Sequence, residues 1–148
     1  RMMEEGDLLV LCELNPNFVA HLQNLFQAEP AYQTHQDRIH LYNIPVQELE
    51  GEQKYDYIVS SLPFNNFPPD LVEEILTSYR RMIKPGGLLS FFEYAYVRPM
   101  KKLIVGSRER ARINAVGDVI QAFVDHYSIQ KTVVALNLPP ARVNICQL

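Results

Sequence analysis

The chain alternates between short apolar runs and longer segments in which apolar residues recur every three or four positions. The first pattern is typical of strands in a parallel sheet and the second of amphipathic helices. Predicted strands occupy residues 8–12, 39–43, 55–61, 88–92, 131–136 and 141–148. Predicted helices occupy about 16–29, 69–84 and 115–127. This alternation predicts an α/β fold with a doubly wound sheet.

Several boundary residues sharpen these predictions. Asn15 is suited to cap the first helix, with Pro16 at its first position, and Pro30 ends the apolar pattern of that helix. The last two strands are separated by only four residues, 137–140. A parallel crossover needs a dozen residues or more, so this pair is predicted to form an antiparallel hairpin.

Composition narrows the class of protein. With 148 residues and a mass of 17.1 kDa, the chain is predicted to form one domain, 1–148. Its formal net charge of −3 argues against a general polyanion binder. The two cysteines, Cys12 and Cys146, are too few for a disulfide scaffold and indicate buried thiols in a reducing compartment. No apolar run has the length of a membrane-spanning helix, and no signal peptide is visible.

Polar side chains follow the first two predicted strands, where ligands of open α/β sheets bind. Glu13 comes directly after residues 8–12, and Asn43 ends the second strand. Glu13 can accept hydrogen bonds from ribose hydroxyls, or it is an acid that favours the start of the next helix. Asn43 can read an adenine edge, but taken alone it is more simply a turn asparagine.

The segment after the third strand, residues 60–67, has the sequence Ser-Ser-Leu-Pro-Phe-Asn-Asn-Phe. Its prolines exclude both a strand ladder and a helix, so a structured loop is predicted. The carbonyls and side-chain amides of this loop can orient an amine, and its aromatic rings can contact a cation. The alternative is a rigid apolar turn that packs under the sheet.

Three segments carry a resemblance to a known family. Residues 83–89, Ile-Lys-Pro-Gly-Gly-Leu-Leu, resemble the turn before the fifth strand of class I S-adenosylmethionine-dependent methyltransferases, in which Glu13 matches the ribose-binding acid. Residues 62–67 resemble the fourth motif of the bacterial phospholipid N-methyltransferases, which methylate phosphatidylethanolamine toward phosphatidylcholine. Residues 137–141, Asn-Leu-Pro-Pro-Ala, resemble the final hairpin of these enzymes. The resemblance covers about Leu8 to Leu148 and implies a Rossmann-like methyltransferase sheet.

The resemblance implies S-adenosylmethionine as cofactor, S-adenosylhomocysteine as product, and direct methyl transfer to an amine nitrogen. The cofactor-binding residues that it implies are Glu13, Leu14, Asn43, Ile44, Ser60 and Leu62. The catalytic residues that it implies are Ser61, Pro63, Phe64, Asn65, Glu93 and Tyr94. Tyr94 and Tyr96 either face the substrate cation or pack at the end of a strand. No metal is implied, and the spacing of His35, Asp37 and His40 matches no strong ligand pattern.

The beginning of the chain departs from the family pattern. The six glycines form no G-x-G cluster, so the family's Gly-rich first motif is absent, and the chain starts at Arg1 rather than at a methionine. We therefore expect a methyltransferase core that lacks its first βα unit. Without this unit, a face or edge of the sheet would be left open, and such a surface favours pairing with a second copy of the chain. We therefore expect a homodimer.

Residues 98–112 contain six basic side chains and one acid. Such a run is usually a solvated surface, but the resemblance favours contact with lipid phosphates. The implied partner is a phospholipid headgroup at a membrane surface, without nucleic acid. The implied location is the cytoplasm, peripheral to the inner membrane.

Two other functions stay open. Ribosomal RNA adenine methyltransferases of the same fold use a loop similar to residues 61–64, although Ser61 stands where they have Asn or Asp. The acidic net charge weighs against RNA as a substrate. The second alternative is a remnant without catalytic activity that binds a partner.

Overall fold

A computed structural model describes residues 3–94, 106–134, 136 and 140–148, with Tyr94 described by its backbone alone. The chain forms two compact units, Arg1–Leu49 and Glu50–Leu148. The predicted residues Tyr96, Arg98, Lys101 and Lys102 and the hairpin loop 137–139 lie outside the described residues.

The first unit has two parallel strands joined by helices. Strand β1 (Leu9–Cys12) is followed by helix α1 (Pro16–Ala28), helix α2 (Pro30–His35) and strand β2 (Ile39–Tyr42). Leu9 of β1 lies opposite Ile39 of β2, and the register continues to Cys12 opposite Tyr42. Single 3-10 turns, Gln36–Arg38 and Val46–Glu48, precede and follow β2.

The predicted start of α1 is confirmed. The Asn15 side chain accepts a hydrogen bond of 3.0 Å from the backbone N–H of Asn17, and Pro16 is the first helical residue. Helix α2 differs from the sequence prediction, in which Pro30 is only the end of α1. A proline is equally suited to the first position of a new helix, since its missing N–H would have no helical partner there. The rings of Phe26 and Tyr32 stack across this junction at 4.6 Å.

The second unit has a four-stranded mixed sheet. Its elements are strand β3 (Tyr55–Ser60), helix α3 (Pro69–Met82), strand β4 (Ile83–Tyr94), helix α4 (Ser107–Tyr127), strand β5 (Ser128–Val134) and strand β6 (Ala141–Gln147). The strand order is β3-β4-β6-β5, in which β3 and β4 are parallel and β6 is antiparallel to both β4 and β5. The predicted antiparallel hairpin is therefore confirmed.

The Lys-Pro-Gly-Gly segment forms an irregularity inside β4 rather than a turn before it. Tyr55 lies opposite Ile83 and Tyr57 opposite Leu88, so the β4 side contains extra residues. Gly86 has a φ of +80°, which disfavours any other residue. A Cβ atom on Gly87 would lie 2.7 Å from Cγ1 of Ile83 and 2.9 Å from the Asp56 carbonyl oxygen. Glycine at 87 thus allows β3 and β4 to pair on both sides of the irregularity.

Helices α3 and α4 pack on each other, α3 on β4, and α4 on β5 and β6, and this layer encloses the core. Helix α4 begins eight residues before its predicted start at 115, because buried Ile113 extends its apolar pattern upstream of Val116. In the part of the chain that the structure describes, the buried apolar side chains are Phe64, Val72, Ile75, Leu76, Tyr79, Met82, Ile83, Leu89, Phe91, Ile113, Val116, Ile120, Phe123, Val124, Ala141 and Cys146. All of them belong to the second unit.

Candidate active site

The loop after β3 is held at its first residue. The hydroxyl of Tyr79 on α3 donates a hydrogen bond of 2.8 Å to Oγ of Ser60, which also accepts a longer bond of 3.4 Å from the Leu62 backbone N–H. Ser60 is only 6% exposed. Its hydroxyl is therefore engaged within the protein, and Ser60 fixes the point where the loop leaves the sheet.

The loop itself is ordered by short backbone bonds. Phe64–Asn66 form one 3-10 turn, in which the Asn66 N–H bonds to the Pro63 carbonyl at 2.8 Å and the Phe67 N–H to the Phe64 carbonyl at 3.0 Å. Phe64 is buried and meets the ring of Phe91 edge-on at 5.7 Å. The predicted structured loop is thus confirmed, and Phe64 packs into the core as the alternative interpretation also expected.

A cavity of about 150 Å³ lies between this loop and the carboxyl end of β4. It is lined by Ser61, Pro63, Phe64, Asn65, Asn66, Phe92 and Glu93. Five residues predicted as catalytic, distant in sequence, are therefore brought together by the fold. Tyr94, the sixth, continues β4, but its side chain lies outside the described residues. Leu62 is half-buried on the same loop.

Sequence reasoning missed three residues around this cavity. Phe92 lines it directly. Asn144, which is 1% exposed, donates a hydrogen bond of 3.3 Å to Oε2 of Glu93. Arg112 on α4 bonds to the loop backbone. The sequence signal for Asn144 is that it is the one polar residue in the apolar run 143–146. In the sequence, Arg112 is one of several basic residues in the run 98–112, and nothing sets it apart from the others.

A wider depression of about 440 Å³ lies elsewhere in the second unit, beside Gln53, Arg81 and Ile83. Ile83 is the first residue of β4, so this depression is at the amino end of the strand. Ligands of open α/β sheets bind at the carboxyl ends, and none of the predicted site residues lines the wider depression. The smaller cavity is therefore the candidate active site.

In the first unit, the ends of β1 and β2 are tied together by Asn43. Its Nδ2 donates to the carbonyls of Glu13, at 2.8 Å, and Leu14, at 3.0 Å. One carboxylate oxygen of Glu13 accepts a 2.7 Å bond from the Asn15 backbone N–H. Both alternatives considered for Glu13 and Asn43 are thus compatible with the structure: each stabilises the local turn, and each stands at a strand's carboxyl end. Ile44 follows half-buried.

Of the basic run 98–112, the described part begins at Gly106. Arg108 and Arg110 are exposed, whereas Arg112 is partly buried and paired with Glu109. Among the described residues, no group of three or more His, Cys, Asp or Glu side chains is arranged to hold a metal ion. None of the helices in this part of the chain combines the length and hydrophobicity needed to cross a bilayer.

The fold is similar to that of solved structures that include methyltransferases. PH0226 from Pyrococcus horikoshii superimposes with a TM-score of 0.69 at 10% identity, over 96% of this chain and 72% of that one. The N-methyltransferase NodS from Bradyrhizobium japonicum, also solved with S-adenosylhomocysteine, gives a TM-score of 0.62 at 12% identity over 95% and 72%. A candidate rRNA methylase from Clostridium thermocellum gives 0.65 at 14% identity over 99% and 78%.

No protein-family model and no curated protein sequence matches the chain. At such low identities the structural likeness establishes the fold alone. The chain therefore has a Rossmann-like methyltransferase fold, as the sequence predicted.

Proposed function

We propose that this protein is an S-adenosylmethionine-dependent methyltransferase that methylates the amine of a phospholipid headgroup, from phosphatidylethanolamine toward phosphatidylcholine. The observation that carries the proposal is the cavity beside Glu93, in which two aromatic side chains, an amide-bearing loop and one carboxylate enclose about 150 Å³. Aromatic faces and a carboxylate both attract a cation. The volume suits the end of a small substrate group.

The cofactor proposal rests on the strand ends of the first unit. Glu13 offers its second carboxylate oxygen, for which the described residues show no hydrogen-bond donor, to a ribose hydroxyl. Asn43, Leu14 and Ile44 form the turn next to it. The resemblance also implies Ser60 and Leu62 of the second unit, although the Ser60 hydroxyl is already engaged with Tyr79. When bound, S-adenosylmethionine supplies an electrophilic methyl group on its sulfonium.

In the proposed reaction, the residues of this chain mainly position the acceptor. The headgroup ammonium first loses a proton to water, the Asn65 amide orients the resulting amine lone pair, and Glu93 faces the positive charge that the nitrogen carries after transfer. The buried amide of Asn144 holds the Glu93 carboxylate in place. Orientation of two reactants accounts for ~7–11 kcal/mol of barrier lowering in well-arranged cases, so no covalent nucleophile is required.

The lipid as acceptor rests on two supports. Residues 62–67 resemble the corresponding segment of the phospholipid enzymes, and exposed Arg108 and Arg110 stand on the same helix as Arg112, which contacts that loop. Each basic side chain near an anionic surface contributes about 1 kcal/mol of attraction. The proposal places the protein in the cytoplasm, at the surface of the inner membrane.

The first test is calorimetric binding of S-adenosylhomocysteine, followed by transfer of labelled methyl groups to vesicles of phosphatidylethanolamine and phosphatidylglycerol. Binding together with methylated lipid is expected. Transfer to ribosomal RNA instead of vesicles would keep the enzyme class and replace the substrate. Absence of binding would leave a shared fold without shared activity, and the partner-binding alternative would take its place.

Three variants separate the roles. Glu13→Ala is expected to weaken S-adenosylhomocysteine binding about tenfold or more, through loss of a charge-assisted hydrogen bond. Asn65→Ala and Glu93→Gln are expected to lower turnover about tenfold or more at nearly unchanged affinity for the product. Glu73→Gln, an exposed acid on α3, is the control for Glu93→Gln. The opposite pattern at Asn65 would make the loop a cofactor element.

A further inference from the structure

One arginine outside the cavity contacts the loop that forms it. Nη2 of Arg112 on α4 donates to the Asn65 carbonyl at 3.0 Å, and Nη1 donates to the Phe67 carbonyl. These contacts link residues 47 and 45 positions apart. They join the first turns of α4 to the loop, and α4 itself is anchored by neighbouring Ile113, which is 1% exposed.

The two carbonyls that Arg112 contacts are not used by the backbone bonds of the loop's own turn. The N–H groups of Phe64, Asn66 and Phe67 bond to the carbonyls of Leu62, Pro63 and Phe64. The carbonyls of Asn65 and Phe67, on either side of Asn66, accept none of these backbone bonds. Arg112 therefore holds the loop at Asn65, which lines the cavity, and again two residues later.

The guanidinium group is itself held in a fixed plane. Glu109, one helical turn earlier, accepts from Nε of Arg112 at 2.8 Å and also from Nη2. The hydrogen bond from Arg112 to Glu109 raises the pKa of the guanidinium, although burial opposes the change. The pair is partly exposed, with side chains 24% and 41% accessible, and such ion pairs contribute little to stability. The more important consequence of this ion pair is that it orients the guanidinium group toward the loop.

We propose that Arg112 is a positioning residue. Through the backbone carbonyls of Asn65 and Phe67, it fixes the loop that would orient the acceptor amine in the cavity. The role rests on the proposed function for its catalytic consequence, but the geometric part is independent of it. A planar fork with five N–H donors can hold one carboxylate and two carbonyls at once, whereas a lysine ammonium offers a single point charge on a flexible chain. Charge alone is therefore insufficient for this role.

The test compares Arg112→Lys with Arg81→Lys. Arg81 also bonds to a backbone carbonyl, that of Gly51 at 3.3 Å, but it lies at the end of α3 and outside the candidate site. Hydrogen–deuterium exchange is measured on the full chain of each variant. Arg112→Lys is expected to raise exchange in residues 61–67 about tenfold and to leave α3 unchanged, because the loop opens locally. Arg81→Lys is expected to leave residues 61–67 unchanged.

The catalytic readout uses the same proteins. Arg112→Lys is expected to lower kcat for methyl transfer about tenfold, with the KM for the vesicle substrate and the affinity for S-adenosylhomocysteine changed less than twofold. Glu109→Gln, which frees the guanidinium plane but keeps both carbonyl contacts, is expected to give a smaller change in the same direction. It also serves if Arg112→Lys does not fold.

The failures are distinguishable. A wild-type chain that transfers no methyl group contradicts the proposed function, while the exchange comparison still decides the role of Arg112. Equal exchange of residues 61–67 in wild type and Arg112→Lys overturns the positioning role. A fall in kcat matched by an equal rise in KM, or a similar effect of Arg81→Lys, also overturns it.

Discussion

The two units of this chain contain helices with similar apolar stripes, but only those of the second unit are buried. In α3 of the second unit, Val72, Ile75 and Met82 are at most 2% exposed. In α1 of the first unit, Phe18 is 58% and Leu25 50% exposed, and none of the residues of α1 is buried. Among residues 3–49, every residue is half-buried or exposed.

The difference shows what a hydrophobic pattern can and cannot indicate. Spacing at three and four positions defines a face of a helix, and both helices have one. Burial of that face depends on whether other elements pack against it, and α3 packs against α4 and β4 of its own unit. The first unit has only a two-stranded sheet, which offers little apolar surface to its own helices.

The largest effect should appear when the units are separated. Residues 50–148 contain all the buried side chains among the described residues and are expected to unfold cooperatively, whereas residues 1–49 are expected to show no cooperative transition. Thermal unfolding of the two fragments, followed by near- and far-ultraviolet circular dichroism, measures this. A cooperative transition in the first fragment would contradict the comparison.

Truncating one leucine in each unit sharpens the contrast. Leu89→Ala removes a side chain that is 0% exposed and is expected to lower the free energy of unfolding by ~2–5 kcal/mol, because it leaves a cavity. Leu25→Ala, at 50% exposure, is expected to change it by only about 0.5 kcal/mol. Urea denaturation of the full chain measures both. Equal losses would show that exposure does not report the energetic difference between the units.

The two cysteines offer a comparison through pH. Burial raises the pKa of the Cys146 thiol to about 11, although nearby Lys131 opposes the shift, and burial also raises the pKa of half-buried Cys12. A raised pKa stabilises the folded state fully below the unfolded pKa, and this contribution is lost as the pH rises through 11. We expect ~2 kcal/mol of pH-dependent destabilisation above about pH 9 that Cys146→Ala lacks. Parallel pH curves from urea denaturation of the two proteins would refute it.

The smallest expected effect concerns the cap of α1. Asn15→Ala removes the side-chain bond to the Asn17 N–H and is expected to destabilise the first unit by ~1 kcal/mol. Asn17→Ala changes the same residue type within the helix without removing that acceptor and is the control. Amide exchange in residues 16–20 reports the local effect. Equal exchange in both variants would mean that the cap does not limit fraying.

The candidate site was predictable where its residues follow strand ends. Residues 61–65 and Glu93 stand just beyond or near the carboxyl ends of β3 and β4, and the rule that ligands bind at such ends needs no tertiary detail. Phe92 was not predicted, because in the sequence it is an ordinary apolar residue of a strand. Asn144 and Arg112 were not predicted, because their hydrogen-bond partners are 45 to 51 residues away along the chain. Local spacing carries no information on such contacts.

The sequence by itself determined the α/β class, the cap of α1, the structured loop after β3 and the antiparallel pairing of the last two strands. Each of these depends on local chemistry: apolar periodicity, the fixed φ of proline, or a connection too short to cross over. Only the tertiary structure decided the strand order, with β6 between β4 and β5, and the early start of α4. The register of β6, which sets Asn144 opposite Phe91 and Arg142 opposite Glu93, follows from packing of the whole sheet. A one-residue shift would have turned Asn144 to the other face, so the support for Glu93 exists only in the assembled sheet.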